Sequence, residues 1–188
     1  MAVNAASKAA KKLIAEALKT LEGDWVLVGG ALMLVLGAGK RATQDIDLVA
    51  LDEGAGASQQ LRLFELAEKL GLPVEAVNSA AGYFLRKIRG YRAGLELMAE
   101  GKRVRIYRPN PALYLKLKAA RLTESDLQDC LSMLEWARRK APAELERCLP
   151  DLDRFSRSLE AGTDARGARL RVLVKAIHDL LASRPQSR

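Results

Sequence analysis

The first part of the chain alternates between helical and strand-like spacing of hydrophobic residues. An apolar stripe at helical spacing predicts a helix over residues 5–21. The stripe consists of Leu13, Ile14, Ala17, Leu18 and Leu21. The next apolar run, residues 25–28, is continuous and bounded by glycine, which is typical of a buried strand. Gly29-Gly30 predicts a turn, after which a short helix over 31–36 and a strand over 45–50 are expected.

The mixed pattern continues to residue 107. We predict a loop over 54–58 and an amphipathic helix over 59–70, because leucines recur there at helical spacing and glycine and proline follow. Residues 76–85 give an ambiguous pattern, for which a short helix is one interpretation. Two runs rich in β-forming residues, 95–98 and 104–107, flank a turn and predict a hairpin that extends the sheet.

After Pro111 the pattern is wholly helical. We predict helices over 112–121, 125–140, 144–148, 152–159 and 168–182, a loop over 162–167, and fraying of the last residues, 183–188. The chain is therefore predicted to have an α/β domain over 1–108 and an α-helical subdomain over 109–188 that packs against it.

Length and composition describe a globular protein. The 188 residues suit one domain of ordinary size, or a small domain with a helical appendage, and the 49% of hydrophobic residues exclude the disordered class. The first residues lack the layout of a secretory signal, and the longest apolar stretch, 25–38, is interrupted by glycines and is too short for a membrane span. We expect a cytoplasmic protein without membrane contact. Cys130 and Cys148 lie far apart in sequence and are expected to be reduced, structural thiols.

The positive charge is concentrated in the second part of the chain. Residues 1–100 contain 12 Lys and Arg against 12 Asp and Glu, whereas residues 101–188 contain 19 against 11, so the whole net charge of +8 lies there. A basic region suits an anionic macromolecule such as RNA. Solvated helix faces are the alternative explanation. Trp25 and Trp136 are expected in the core, and we find no aromatic series interleaved with basic residues that would mark a base-stacking platform.

Two short motifs could carry chemistry. Side chains alternate between the faces of a strand, so Asp45 and Asp47 are predicted to project from one side while Ile46 packs on the other. Paired carboxylates supply oxygen ligands for Mg²⁺, which is usually held jointly by carboxylates and substrate phosphates. Gly29-Gly30 follows a strand and opens a helix, where phosphate oxygens can approach backbone N–H groups. Taken singly, the glycines more often form a tight turn and the aspartates a solvated strand face.

The order of these motifs resembles a known signature. A strand, Gly29-Gly30, a short helix, a basic segment with Thr43, and an Asp-Ile-Asp strand follow one another as in the DNA polymerase β-like nucleotidyltransferase superfamily. The matching segments are residues 28–32 and 41–49. The resemblance implies an α/β fold with a nucleotidyltransferase-type mixed sheet flanked by helices and a C-terminal α-helical subdomain.

Within that superfamily, the chain is similar to small bacterial AbiEii-type toxins and to uncharacterised nucleotidyltransferase-like families. Their later helical block appears here as Lys118-Ala119-Ala120-Arg121, followed by Asp126-Leu127-Gln128-Asp129. The resemblance covers residues 25 to about 135 and implies a role for each matching position. Gly29 and Gly30 would bind the triphosphate of an NTP, and Asp45 and Asp47 would hold Mg²⁺. The remaining implied nucleotide-binding residues are Arg41 and Thr43, which support the loop, and Lys118, Arg121 and Asp126, which border the cleft.

The chain departs from this pattern at two points. The lysine that precedes the Asp-Leu-x-Asp segment in the family is Ser125 here. Active members also place a third carboxylate on a neighbouring strand, where it often takes the proton of the attacking hydroxyl. Glu96, in Leu95-Glu96-Leu97, has the matching local pattern and is the candidate catalytic base. Glu75 competes with it, and a surface glutamate is the plain alternative for both.

These patterns predict a Mg²⁺-dependent nucleotidyltransferase. It would transfer a nucleoside monophosphate from an NTP to an RNA, tRNA included, or to a protein or small molecule, and it would act as the toxin of a toxin–antitoxin pair with a cognate antitoxin as partner. The alternative is a nucleotidyltransferase fold that has lost turnover and serves as a binding or regulatory protein; Ser125 and the uncertain third carboxylate favour it.

Overall fold

A computed structural model of the chain describes residues 2–39, 41, 43, 45–52 and 56–183. Parts of three predicted segments lie outside these residues: Lys40, Ala42 and Gln44 before the second strand, residues 54 and 55 of the predicted loop, and the C-terminal residues 184–188. The described chain divides into two units between Pro109 and Asn110. The sequence places this boundary between residues 108 and 109, and the packing of the helical subdomain against the α/β domain remains a prediction.

The first unit combines a sheet with four α-helices in the described residues. Its elements are α1 (Ala2–Thr20), β1 (Gly23–Val28), α2 (Gly29–Val35), β2 (Ile46–Ala50), α3 (Gly56–Lys69), β3 (Val77–Asn78), α4 (Ala81–Lys87), β4 (Leu95–Glu100) and β5 (Val104–Pro109). Short 3₁₀ turns over Val74–Ala76 and Tyr91–Gly94 precede β3 and β4.

The five strands form one mixed sheet in the order β3-β2-β1-β5-β4. The central strand β1 runs antiparallel to β2 and parallel to β5, while β2 is parallel to β3 and β4 is antiparallel to β5. All four residues of the predicted strand 25–28 are buried, as expected for a strand covered on both faces. The predicted α/β fold with a mixed sheet flanked by helices is thus confirmed.

Four of the five residues in the predicted apolar stripe are buried, and Leu18 is half-buried. Leu13, Ala17 and Leu21 are each at most 3% exposed, and α1 lies against α2, α3 and β5. Burial of such side chains stabilises a fold by roughly 1.5–3 kcal/mol each for the larger ones. The stripe therefore holds one helical layer on the sheet.

Several predicted boundaries differ from the structure. The predicted loop over 54–58 is helical from Gly56, the first residue of α3. The ambiguous segment 76–85 contains β3 and most of α4. Strand β2 begins at Ile46, so the predicted strand residue Asp45 precedes it. These errors occur where an element is short or begins next to a glycine, since periodicity needs several turns or alternations to be visible.

The second unit consists of helices in its described residues. These are α5 (Pro111–Ala119), α6 (Glu124–Lys140), α7 (Pro142–Arg157) and α8 (Ala165–Ala182). Asn110 caps α5 by accepting a hydrogen bond from the Leu113 N–H at 2.9 Å, and Pro111 occupies the first helical position, which suits proline. The predicted α-helical fold of the second part of the chain is thus confirmed.

Helix α7 corrects the prediction of two helices over 144–148 and 152–159. Pro150 lies inside it and removes one backbone donor. The helix nevertheless continues, because apolar side chains on both sides of the proline share one buried face. They are Leu145, Cys148, Leu149 and Leu152. Likewise, the predicted loop 162–167 ends earlier than expected, at the start of α8.

Cys130 and Cys148 are both buried and do not form a disulfide with each other. Burial raises the pKa of the Cys130 thiol well above its ordinary value, which keeps it protonated and unreactive. Within the described residues, none of the helices has both the length and the apolar character needed to cross a membrane.

Candidate functional site

The glycine turn and the aspartate strand meet in the structure. The register of β1 and β2 places Val28 opposite Asp47. The turn that begins at Gly29 therefore lies next to Asp47 on the adjacent strand. A Cβ atom on Gly29 would lie 2.5 Å from the Asp47 Oδ2 atom, which is closer than a real Cβ atom ever approaches. Gly29 also has a φ of +71°, a conformation that favours glycine. Backbone conformation and space thus both require glycine here.

The segment between α2 and β2 folds back onto Gly30. A Cβ atom on Gly30 would lie 3.3 Å from the Thr43 Oγ1 atom and 3.6 Å from the Arg41 Nη2 atom. The Thr43 hydroxyl donates to the Asp45 carbonyl oxygen at 3.3 Å. The structure therefore brings together five of the predicted site residues: Gly29, Gly30, Arg41, Thr43 and Asp47.

Helix α2 begins at this turn without a capping side chain from its N-cap residue. That residue is Val28, whose apolar side chain cannot accept a hydrogen bond. Serine, threonine, asparagine or aspartate normally satisfies first-turn N–H groups at such a position. The glycine backbone beside Arg41 is therefore suited to an anionic oxygen, such as one from a phosphate.

The two aspartates differ in their surroundings. Asp47 is half-buried in β2, whereas Asp45 is exposed and precedes the strand. Ile46 between them is 6% exposed, as predicted for a residue on the opposite, packed side. Asp45 joins the cluster through its backbone, which accepts the Thr43 hydrogen bond.

The predicted catalytic base, Glu96, does not lie beside these aspartates. It occupies β4 opposite Arg108, and β1 and β5 separate β4 from β2. Three strand spacings amount to about 14 Å. The expectation that Glu96 occupies a strand next to the aspartates is wrong, because β4 extends the sheet on its far side. Glu75, its competitor, lies in the 3₁₀ turn that leads into β3 and is exposed.

Asn78 occupies the position beside Asp47 on the neighbouring strand. The parallel pairing of β2 and β3 aligns Asp47 with Asn78, so both side chains lie on the same face of the sheet. The Asn78 Oδ1 atom accepts a hydrogen bond from the Ala80 N–H at 3.0 Å. An uncharged amide thus stands where a third carboxylate would complete an acidic cluster.

The donor set fits one Mg²⁺ ion that is shared with a bound phosphate. Asp45 and Asp47 would supply carboxylate oxygens, and Mg²⁺ characteristically takes its other ligands from water and phosphate. Among the described residues, no group of three or more His, Cys, Asp or Glu is placed to hold a metal ion.

Lys118, Arg121 and Asp126 form an ion-pair cluster within the helical unit. The Lys118 Nζ atom donates to Asp126 at 3.0 Å and to Asp129 at 3.0 Å, and the Arg121 Nε atom donates to Asp126 at 2.9 Å. Asp126 is also the third residue of α6, where its carboxylate accepts from the Thr123 N–H in a capping box. These contacts fasten the end of α5 to the start of α6. Nucleotide binding by these three residues remains a prediction.

The chain matches a known protein family over most of its length. Residues 4–136 match the family described as "Nucleotidyltransferase of unknown function (DUF6036)". The chain belongs to this nucleotidyltransferase family. The matched region contains the glycine turn, both aspartates and the Lys118–Asp126 cluster. No curated protein and no solved structure matches the chain.

The structure also places a residue beside Asp47 that the sequence prediction misses, Asn78. Asn78 lies in a strand of two residues, which is too short to show an alternating pattern. The short apolar pair Ala76-Val77, which follows a proline, is the one local feature that could have predicted a strand at Asn78. Ser125, the departure noted from sequence, lies near the start of α6 with its Oγ atom 3.0 Å from the Thr123 Oγ1 atom.

The Asp126 carboxyl has a strongly lowered pKa. Burial alone would raise it, but hydrogen bonds from Arg121, Lys118 and Thr123 outweigh this effect and favour the charged form. Because its pKa is lower in the folded than in the unfolded protein, its stabilising contribution is complete above the unfolded carboxyl pKa of about 3.9. The contribution is lost as the pH falls below that value and through the folded pKa.

We expect Asp126→Asn to lower the free energy of unfolding by about 1.5–3 kcal/mol at neutral pH, since it removes charged hydrogen bonds of a buried carboxylate. The Arg121 side chain is 72% exposed, so its share is reduced by solvent. Denaturant unfolding between pH 7 and pH 2 would measure this. The difference between variant and wild type should shrink in acid. Asp179→Asn, which breaks an exposed pair with Lys175, is the control and should cost only about 0.3–0.5 kcal/mol. A pH-independent difference would contradict the role of Asp126.

Gly29→Ala and Gly37→Ala form a matched pair, because both glycines have a φ near +70°. A Cβ atom at Gly37 meets nothing within 4 Å, whereas at Gly29 it meets Asp47. Each alanine should cost about 1–2 kcal/mol of stability through the left-handed conformation. Only Gly29→Ala should also displace Asp47 and weaken Mg²⁺-NTP binding, measured by calorimetry. Equal binding by the two variants would show that the Gly29–Asp47 contact has no part in the site.

Proposed function

We propose that the protein is a Mg²⁺-dependent nucleotidyltransferase. It transfers a nucleoside monophosphate from an NTP to a hydroxyl or phosphate acceptor and releases pyrophosphate. One observation carries the proposal: the Asp47 carboxylate lies directly against Gly29. A metal-ligating oxygen and a backbone that can receive phosphate are thereby adjacent, as joint binding of Mg²⁺ and a triphosphate requires.

Each residue of the site has a part in this proposal. The backbone at Gly29 and Gly30 receives the phosphate oxygens, and Arg41 offers positive charge beside Gly30. Asp45 and Asp47 hold Mg²⁺, which when bound neutralises charge on the transferred phosphate and the leaving pyrophosphate. Thr43 fixes the approach to β2 through its hydrogen bond to the Asp45 backbone. Positioning and charge neutralisation, rather than covalent chemistry, dominate such a reaction.

Asp47→Asn tests the proposal, with Asp52→Asn as the control. Both changes remove one carboxylate near β2, but Asp52 is exposed and lies beyond the end of the strand. We expect Asp47→Asn to reduce Mg²⁺-dependent transfer of label from α-³²P-NTP to total RNA or lysate by at least about 100-fold, as for loss of a principal charge-stabilising group. Asp52→Asn should retain activity. Wild-type activity in Asp47→Asn would contradict the proposal.

A catalytically degenerate binding or regulatory protein is the second candidate function. Asn78 favours it, because a neutral amide stands beside Asp47 and the described residues offer no cluster of three acidic ligands. In that case the site binds Mg²⁺-NTP but does not turn it over.

Asn78→Asp distinguishes the two candidates. Aspartate is nearly isosteric with asparagine and can still accept the Ala80 N–H hydrogen bond. The added charge should tighten Mg²⁺ binding roughly tenfold, since affinity for such ions rises with the number of charged ligands. Transfer activity that appears only in Asn78→Asp would identify the natural chain as degenerate. Activity in wild type would establish the enzyme, and an unchanged Mg²⁺ affinity would exclude Asn78 from the metal site.

A toxin role, with tRNA as acceptor and a cognate antitoxin as partner, extends the first proposal. Its support is the similarity of the segments around Lys118 and Asp126 to AbiEii-type toxins. The basic second part of the chain would follow the RNA backbone. Expression of wild type should then arrest bacterial growth and expression of the Asp47→Asn variant should not. Arrest by both would refute a metal-dependent toxic activity.

A further inference from the structure

Helix α4 exposes two adjacent aromatic rings. The Tyr83 side chain is 62% exposed and Phe84 is 53% exposed, and their rings meet edge to face at 5.3 Å. Neighbouring helix positions point in different directions, so packing of one face of α4 does not account for both rings. The inward-facing residues of this helix are Gly82 and Leu85, which are buried. The two rings are thus available to a partner.

Four cations accompany these rings. The Lys87 Nζ atom lies 4.0 Å from the centre of the Tyr83 ring, and Arg89 is exposed just beyond the helix. Arg86 and Arg92 are anchored by hydrogen bonds to the carbonyl oxygens of Ala50 and Leu51, at 3.2 Å and 2.7 Å. We call Tyr83, Phe84, Arg86, Lys87, Arg89 and Arg92 the aromatic-basic surface.

The positive charge of this surface is not neutralised locally. The sequence from residue 76 to residue 95 contains no Asp or Glu. None of the four cations forms an ion pair with a carboxylate in the part of the chain that the structure describes. The expectation that the chain has no aromatic series interleaved with basic residues is therefore wrong for residues 83–92. The ambiguous pattern of that region had concealed the helix that presents the rings.

The aromatic-basic surface lies on the same side of the sheet as Asp47. Asp47 and Val49 alternate with Leu48 along β2, so they project from one face and are about 7 Å apart along the strand. Gly82, at the start of α4, packs on Val49: a Cβ atom there would lie 2.9 Å from the Val49 Cγ1 atom. Helix α4 thus begins close to Asp47, within a single unit of the structure.

We propose that the aromatic-basic surface binds single-stranded nucleic acid, and that this strand is the acceptor in the nucleotidyl transfer proposed above. Unstacked bases lie on aromatic rings, while phosphates follow the adjacent cations. Exposed rings of two types beside four cations that lack a carboxylate partner among the described residues match this combination. An acidic protein segment would also engage the cations, and a competition experiment distinguishes it from a nucleic acid. The role of the nucleic acid as acceptor rests on the proposed function. The binding of the nucleic acid to this surface does not.

Fluorescence anisotropy with a labelled oligouridine tests the binding. Tyr83→Ala and Phe84→Ala should each weaken binding roughly tenfold, which corresponds to the loss of one stacked base. Phe64→Ala is the matched control, because Phe64 is an exposed aromatic residue of α3 in the same unit, and it should leave the affinity unchanged. All three side chains are exposed, and thermal unfolding would confirm that the variants remain folded. Equal affinity of wild type and both α4 variants would overturn the proposal.

The dependence of binding on salt identifies the phosphate contacts. Arg89→Gln should reduce the slope of log K against log salt concentration by about 0.7, the value for one phosphate contact on a single strand. Lys69→Gln, an exposed cation at the end of α3, should not change the slope. Two competitors complete the test. A duplex of the same length should compete less well than the single strand, because its bases stay stacked. Polyglutamate that competes as well as oligouridine would show a surface for acidic protein and overturn the proposal.

One pair of variants separates this proposal from the proposed function. Asp47→Asn should lose NTP transfer but keep oligouridine binding, whereas Tyr83→Ala should lose oligouridine binding but keep Mg²⁺-NTP binding. If Asp47→Asn has no effect on transfer while Tyr83→Ala still weakens oligouridine binding, the function is wrong and the surface assignment stands. If Tyr83→Ala leaves oligouridine binding intact, the surface assignment fails regardless of the enzyme's activity.

Discussion

The candidate site depends on the antiparallel register of β1 and β2. The pairing of Val28 with Asp47 places the last residue of β1 beside the start of β2, at the same end of these two strands. The turn that follows β1 must then leave room for a carboxylate, and only glycine with a left-handed backbone does so at position 29. A shift by one residue would carry Asp47 to the opposite face of the sheet and separate it from the turn.

The sequence predicts this part of the molecule because local patterns determine it. A continuous apolar run, a double glycine and an Asp-x-Asp segment each have one dominant structural explanation, and the structure brings Gly29, Gly30, Thr43 and Asp47 together as predicted. The order of the strands is not encoded locally. Glu96 has the right neighbours in sequence, but β4 joins the sheet at the edge away from β2. Asn78 reaches the site through a strand of two residues that periodicity cannot reveal.

The two units illustrate different uses of charge. In the helical unit, Asp126 is fully buried and engages Lys118, Arg121 and Thr123, so this charged motif connects α5 to α6. In the first unit, the cations beside Tyr83 and Phe84 have no carboxylate partner among the described residues, and Arg86 and Arg92 bind backbone carbonyl oxygens instead. A buried ion cluster holds structure, whereas unpaired cations beside exposed rings favour a ligand. The overall charge of +8 does not distinguish these cases; the contacts do.

The proposed function requires that a divalent cation and a triphosphate bind together where Gly29 lies against Asp47. Paramagnetic broadening by Mn²⁺ measures this directly, since Mn²⁺ substitutes for Mg²⁺ at oxygen sites and broadens the amide signals nearest to it. With an NTP present, the account predicts that the amides of Gly29, Gly30, Thr43 and Asp47 broaden first. The amide of Glu96, on the far edge strand, should broaden only at higher Mn²⁺ concentration. Broadening elsewhere, with these four signals unchanged at saturating NTP, would contradict it.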